Sequence, residues 1–175
     1  GHMLHGMLSS SQRWAGVSGI TTEWDFVEAP SQMLEEWVYD YETLRRFARD
    51  VQGNPIPREL VEKMNTARYF DSGIGDMRQL ALSNISLWLH QAPAPADIGA
   101  EVKRLDAQYN LVPLMDGSQF QNAFGHLTGY SAIYYTYRWS KVIADDMFTQ
   151  FAAKGLRDRA TGRTLYILDE PTTGL

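Results

Sequence analysis

Apolar residues recur at intervals of three and four positions along most of this chain, which is the spacing of one buried face of a helix. The first clear stretch follows Pro30, a residue that is tolerated at the start of a helix. We therefore predict one helix with a single buried stripe, formed by Met33, Leu34, Trp37, Val38, Tyr41 and Leu44.

The same spacing predicts two helices in the middle of the chain. One begins near Pro57 and places Leu60, Val61, Met64 and Ala67 on one face. Gly73 and Gly75 then interrupt the pattern. A second helix is expected from a cap at Asp76 to Trp88, and because it has few polar faces it should lie centrally in the fold.

Two more helices complete the all-α fold class that the pattern favours. Asp97 is expected to cap a short amphipathic helix that ends near Tyr109. A final long helix is predicted from Ser131 to about Lys154, with Gly155 ending it. Residues 164–171 (TLYILDEP) break the pattern, since this apolar and β-favouring run predicts a short extended C-terminal tail.

Composition narrows the class of protein. A chain of 175 residues with 44% apolar residues can bury the core of one ordinary domain. A formal charge of −5 argues against a nucleic-acid surface, and no apolar run reaches the length of a membrane span. The chain has no cysteine, which excludes thiolate metal sites and fits a reducing compartment. We expect a cytoplasmic protein that binds neither nucleic acid nor membrane.

Two segments carry candidate metal ligands. Residues 1–6 read GHMLHG and residues 25–32 read DFVEAPSQ. Together they resemble the thimet oligopeptidase family of zinc peptidases, which includes oligopeptidase A and the dipeptidyl carboxypeptidases, from residue 1 to about 162. The resemblance implies the helical half of a zincin-like catalytic domain, with His2 as the second histidine of HExxH and Glu28 as the third zinc ligand.

A second block strengthens the resemblance. Phe124-Gly125-His126-Leu127 and Tyr134-Tyr135-Thr136-Tyr137-Arg138-Trp139-Ser140 are similar to the family's glycine-rich substrate loop and the helix after it. By this resemblance His126 and Tyr130 contact the transition state, while Tyr134 and Tyr137 contact the peptide. The alternative is an aromatic core stripe, because residues 130, 134 and 137 share one helical face. One glycine of the family's loop is absent, and Ile133 and Thr136 replace small residues.

The metal site is incomplete in the sequence. The first histidine and the catalytic glutamate of HExxH are missing, and His2 and His5 are three positions apart rather than four. We expect structural or surface roles for His5. Gly1-His2-Met3 is also a remnant of some cleaved expression tags, in which case His2 is not native. Zinc, the cofactor of the family, is therefore expected to bind weakly or not at all.

The tail is similar to another protein class. Residues 159–175 resemble the Walker B segment of the ABC ATPase of bacterial excision repair, in which Asp169 and Glu170 would hold magnesium. No GxxxxGK[ST] phosphate loop is present, so no nucleotide is expected to bind. This resemblance predicts a gene fusion, with a partial peptidase domain over residues 1–162 and a foreign tail over residues 163–175.

Three functional hypotheses follow from these observations. The first is a peptidase remnant that is inactive alone, because hydrolysis needs a metal-bound nucleophile and a base. The second is a working peptidase subunit that a partner chain completes. The third is a peptide or protein interaction module that uses the old cleft. Loss of the family's N-terminal half should also expose an apolar patch, so we expect a homo-oligomer.

Overall fold

The structure, a computed structural model, describes residues 1–10, 13, 14, 16, 18–91 and 93–162. It confirms the all-α fold class. Within this described part, the β pairing is an isolated bridge between Arg49 and Pro55. The helices are α1 (His2–Leu8), α2 (Ala29–Glu35), a 3₁₀ helix (Glu36–Tyr39), α3 (Tyr41–Leu44), α4 (Arg58–Ala67), α5 (Ser72–Gln91), α6 (Ile98–Asp106), α7 (Phe120–Ala123), α8 (His126–Gly129) and α9 (Thr136–Lys154).

The chain divides into two compact units. The terminal unit comprises Gly1–Arg68 and the chain from Trp139 onward, and the central unit comprises Tyr69–Arg138. The extended tail and its Walker B resemblance lie outside the described residues, which end at residue 162. Across the described helices, none is long and apolar enough to cross a membrane.

The core of the terminal unit forms where α2 meets α9. Met33, Ala144 and Phe151 are buried there, and Trp37 packs against them. The Trp37 ring meets Phe151 edge-on, with ring centroids 4.9 Å apart, and its indole Nε1 donates a hydrogen bond to the Leu156 carbonyl at 3.1 Å. The first three residues of the predicted apolar stripe, Met33, Leu34 and Trp37, thus form part of this core.

The core of the central unit joins α5 and α6 to the segment before α9. Its buried residues come from all three segments and are Leu82, Ile85, Val102, Leu105, Phe124 and Tyr134. The helix after Gly75 is less central than expected. It buries Ala81, Leu82, Ile85 and Ser86 along one face, whereas the apolar Met77, Leu80 and Leu87 are 39%, 44% and 41% exposed.

The first predicted helix is broken. Asp40 has an extended backbone (φ −92°, ψ 120°), and its carboxylate accepts a hydrogen bond from the Thr43 amide at 2.7 Å. Asp40 is therefore the N-cap of a new helical turn rather than an interior residue. Val38, which the stripe predicted to be buried, is 48% exposed because the chain turns at this point.

Two helices also begin at residues other than those predicted from the sequence. Helix α5 begins at Ser72 and includes Gly73 and Gly75, so Asp76 lies inside it and pairs instead with Arg138, with 2.6 Å between Asp76 Oδ1 and Arg138 Nη1. Helix α9 begins at Thr136 rather than at Ser131, because Ser131 has a left-handed backbone with φ +51°.

Three terminal signals are confirmed. Pro57 precedes the first residue of α4. The Asp97 carboxylate accepts a hydrogen bond from the Ala100 amide at 2.9 Å, although α6 ends at Asp106 rather than near Tyr109. Gly155 follows α9 with φ +102°, a conformation that favours glycine and stops the helix.

Candidate functional site

His2 and Glu28 meet in the terminal unit. The distance between His2 Nε2 and Glu28 Oε2 is 3.0 Å. Glu28 is 5% exposed, whereas the His2 side chain remains 46% exposed. A buried carboxylate is unfavourable unless it has a partner, and the imidazole supplies one. The pair thus joins the two segments that the sequence marked as metal-binding.

A close approach between α1 and α2 brings the pair together. A Cβ atom on Gly1 would lie 2.3 Å from both Cα and Cβ of Ser31, so only glycine fits at this contact. Gly1 is the N-cap of α1, and its carbonyl accepts a hydrogen bond from the His5 amide at 2.9 Å. No pattern in the sequence marks Ser31 as the neighbour of Gly1.

Several hydrogen bonds hold the segment that carries Glu28. The backbone amide of Gln32 donates a hydrogen bond to the Glu28 carbonyl at 2.9 Å, and the Ser31 hydroxyl donates one to the same carbonyl at 2.9 Å. The fully buried hydroxyl of Ser140, on α9, donates to the Asp25 carbonyl at 2.7 Å. Ser140 thus ties the residues before Glu28 to a long helix. The family motif marked Ser140 only as part of a helix.

The donor atoms of the pair suit zinc. Imidazole nitrogen and carboxylate oxygen are common zinc ligands, and two ligands at ordinary zinc distances in a tetrahedral site are about 3.3 Å apart. The separation of 3.0 Å between His2 Nε2 and Glu28 Oε2 is close to this value. In the part of the chain that the structure describes, however, no group of three histidines or carboxylates could hold a metal. His2 and Glu28 therefore supply two zinc ligands at most.

His5 is buried in α1. Of the structural and surface roles expected for it, burial excludes the surface role.

The second group of predicted site residues lies in the central unit. His126 Nε2 is 3.1 Å from the Tyr137 hydroxyl, and the Tyr130 and Tyr137 rings are stacked, with centroids 5.4 Å apart and an angle of 16° between planes. The Tyr134 ring meets the His126 ring edge-on at 5.0 Å. The structure thus gathers all four residues into one group, which we call the His126 cluster (His126, Tyr130, Tyr134 and Tyr137).

The members of the His126 cluster differ in burial. Tyr134 is buried in the core beside Phe124, with ring centroids 5.2 Å apart. Tyr130, Tyr137 and His126 are partly exposed. The alternative of an aromatic core stripe therefore describes Tyr134, whereas the other three side chains are only partly buried. An imidazole and phenol hydroxyls can donate hydrogen bonds to a carbonyl oxygen.

Comparison with known proteins identifies the protein family to which the chain belongs. Residues 1–168 match the sequence profile of Peptidase family M3, so the chain belongs to this family of zinc metallopeptidases. It is 38% identical to oligopeptidase A of Escherichia coli (strain K12) and 34% identical to dipeptidyl carboxypeptidase of the same organism, over 94% and 93% of this chain. It is also 30% identical to oligopeptidase A of Haemophilus influenzae, over 99% of this chain.

The alignments cover only part of each relative. The chain spans about a quarter of the length of these three proteins: 25%, 25% and 26%. The family match continues to residue 168, past the predicted boundary at residue 162, and the Haemophilus alignment reaches almost the whole chain. Nothing in these comparisons supports the ABC ATPase resemblance of the tail.

Proposed function

We propose that this chain is part of the catalytic domain of a zinc oligopeptidase and supplies two of its zinc ligands, His2 and Glu28. The observation that carries the proposal is the distance of 3.0 Å between His2 Nε2 and Glu28 Oε2, which joins two segments far apart in the sequence. When bound, zinc would polarise the scissile carbonyl and lower the pKa of its bound water.

The residues of the chain have distinct roles in this proposal. Glu28 provides a carboxylate at the N-terminus of α2, and Ser140 anchors the residues before it through the Asp25 carbonyl. His2 provides a partly exposed imidazole at the start of α1. The His126 cluster would bind a peptide through hydrogen bonds from His126, Tyr130 and Tyr137 to the peptide carbonyls. Oligopeptides are the substrate class, by analogy with the relatives that are named oligopeptidase A.

We infer that these 175 residues do not hydrolyse peptides by themselves. The sequence contains no His-Glu-x-x-His, so it lacks the glutamate that would activate water and one of the histidines that would hold zinc. With two ligands, zinc affinity should be weak. Hydrolysis requires residues beyond these, either on a longer chain or on a partner.

Titration of the protein with zinc, monitored by isothermal titration calorimetry, tests the metal site. Weak binding is expected for the unchanged protein, and Glu28→Gln should abolish it because the amide is a much poorer zinc ligand. Glu23→Gln is the matched control, since Glu23 lies in the same segment and is exposed. Equal zinc affinity in all three proteins would show that Glu28 is not a ligand.

A complementation assay tests the catalytic role. The protein would be mixed with E. coli oligopeptidase A that lacks the region aligned with this chain, and a quenched fluorogenic peptide would report cleavage. Zinc-dependent activity that needs both polypeptides and is lost with Glu28→Gln supports the proposal. Cleavage by the unmixed protein, if lost with Glu28→Gln, would show instead that the chain is active alone.

A further inference from the structure

Ser86, on α5, makes an unusual contact in the central unit. Its side chain is fully buried, and its hydroxyl donates a hydrogen bond to the carbonyl of Ser131, 2.5 Å away. The two residues are 45 positions apart in the sequence. The contact therefore ties the buried face of a long helix to the turn that follows α8.

Ser131 needs such a contact because its backbone is strained. Its φ is +51°, a left-handed conformation that costs free energy for any residue with a Cβ atom. Strained conformations persist only where the surrounding structure holds them. The hydrogen bond from Ser86 is a restraint of this kind on the peptide group that begins at Ser131.

The strained turn separates Tyr130 from Tyr137 in the His126 cluster. Tyr130 directly precedes Ser131, and its amide donates to the His126 carbonyl at 2.7 Å, so Tyr130 completes the last turn of α8. After the turn the chain enters α9, which carries Tyr137. The left-handed residue therefore lies in the chain between two tyrosines whose rings stack, with centroids 5.4 Å apart.

We propose that Ser86 is a positioning residue for peptide binding, because its hydroxyl holds Ser131 in the left-handed conformation and thereby keeps Tyr130 against Tyr137. Ser86 itself is buried and does not touch the peptide. The peptide-binding part rests on the proposed function of the His126 cluster. The positioning part rests only on the geometry of the central unit.

Nuclear magnetic resonance of labelled tyrosine rings tests the positioning. Stacked rings shift each other's proton resonances upfield, so Ser86→Ala should remove most of the shift for Tyr130 and Tyr137. Ser83→Ala is the matched control: Ser83 is on the same helix and donates to the Gln79 carbonyl at 2.8 Å, within α5. Unchanged Tyr130 and Tyr137 resonances in Ser86→Ala would overturn the proposal.

A second substitution separates positioning from simple packing. Glycine adopts a positive φ without strain, so Ser131→Gly should restore the Tyr130 and Tyr137 shifts in a protein that already carries Ser86→Ala. A role in core packing alone would not be rescued in this way, and absence of rescue would overturn the proposal. If Ser86→Ala fails to fold, Ser86→Cys, which has a similar size and a weaker donor, takes its place in both comparisons.

Fluorescence anisotropy with a labelled, unstructured peptide rich in alanine and glycine tests the functional consequence. The Kd should rise roughly three- to tenfold in Ser86→Ala, as expected for one lost hydrogen bond, and stay unchanged in Ser83→Ala. If the unchanged protein does not bind the peptide, the proposed function of the His126 cluster fails, and the tyrosine resonances still decide whether Ser86 positions Tyr130. A Kd in Ser86→Ala equal to that of the unchanged protein would overturn the link to binding.

Discussion

Gly1 lies so close to Ser31 that a Cβ atom on Gly1 would stand 2.3 Å from the Ser31 Cα atom. The contact fixes the start of α1 against α2. Helix α1 begins with His2, and Glu28 is the residue immediately before α2. The close approach of backbone to backbone therefore determines whether the two proposed zinc ligands can meet.

Replacing Gly1 tests this relationship. Gly1→Ala should separate α1 from α2, because the clash involves backbone that cannot rotate away, and should lower the free energy of unfolding by about 1–3 kcal/mol. Thermal unfolding is the measurement. Gly6→Ala is the control, since its Cβ would make an ordinary contact with Ile20 at 3.5 Å and alanine favours a helix interior. Equal melting temperatures for Gly1→Ala and the unchanged protein would contradict the prediction.

Ser140 is expected to stabilise the segment before Glu28. Ser140→Ala leaves the Asp25 carbonyl without the hydroxyl donor that lies 2.7 Å away, and should cost about 1 kcal/mol. Denaturant unfolding provides the value. Thr149→Ala on the same helix removes an exposed hydroxyl that bonds to the Asp146 carbonyl, and should change stability by less than about 0.5 kcal/mol. The prediction fails if the two variants lose the same stability.

Trp37 should dominate the core of the terminal unit. Trp37→Ala removes the edge-on contacts with Phe148 and Phe151 and the hydrogen bond to Leu156, and is expected to cost about 3–5 kcal/mol. Chemical unfolding followed by circular dichroism measures the loss. Trp139, which is 57% exposed, supplies the control, and Trp139→Ala should have a much smaller effect. A similar loss in both variants would show that the indole of Trp37 is not specifically packed.

The loop around Asp50 should respond to acid. The side chain of Asn54 donates to the Asp50 carboxylate and, with amides of the same loop, holds its pKa below the ordinary value. A carboxyl group with a lowered pKa in the folded state stabilises the protein above its unfolded pKa, and this contribution is lost as the pH falls through the folded pKa. The difference in melting temperature between the unchanged protein and Asp50→Asn should therefore be present at neutral pH and vanish in acid.

Gln52→Ala is the control for Asp50, because Gln52 contacts the carboxylate only through its backbone amide. Its difference from the unchanged protein should not depend on pH. A pH-independent effect of Asp50→Asn would mean that the charged form of Asp50 contributes nothing to the loop.

Self-association remains an expectation that the exposed side chains of α1 support. Met3 and Met7 lie one turn apart and are 74% and 66% exposed. We expect the chain to form a dimer at micromolar concentration, measured by light scattering, and Met3→Lys with Met7→Lys to shift it to monomer. Val51→Lys, at a loop position that is 96% exposed, should leave the dimer unchanged. A monomer for the unchanged protein would refute this expectation.

Local signals in the sequence were sufficient for much of the helical framework. Asp97 and Gly155 act as the caps that their residue types predict, because a carboxylate accepts the free amides of a first turn and glycine adopts positive φ at little cost. The motifs around Glu28 and His126 likewise indicated the family, which the match over residues 1–168 confirms. These features depend on residues near each other in the chain.

Contacts between residues distant in the sequence decided the other features of the fold and of the candidate site. The sequence could not show that Gly1 meets Ser31, that Ser86 reaches Ser131, or that the predicted first helix breaks at Asp40. Apolar spacing favours a continuous helix whenever it is regular, whereas the end of a helix and the direction of the next depend on which buried groups find partners across the fold. The sequence alone therefore determined which residues are candidates for the site, and the tertiary structure determined which of them meet.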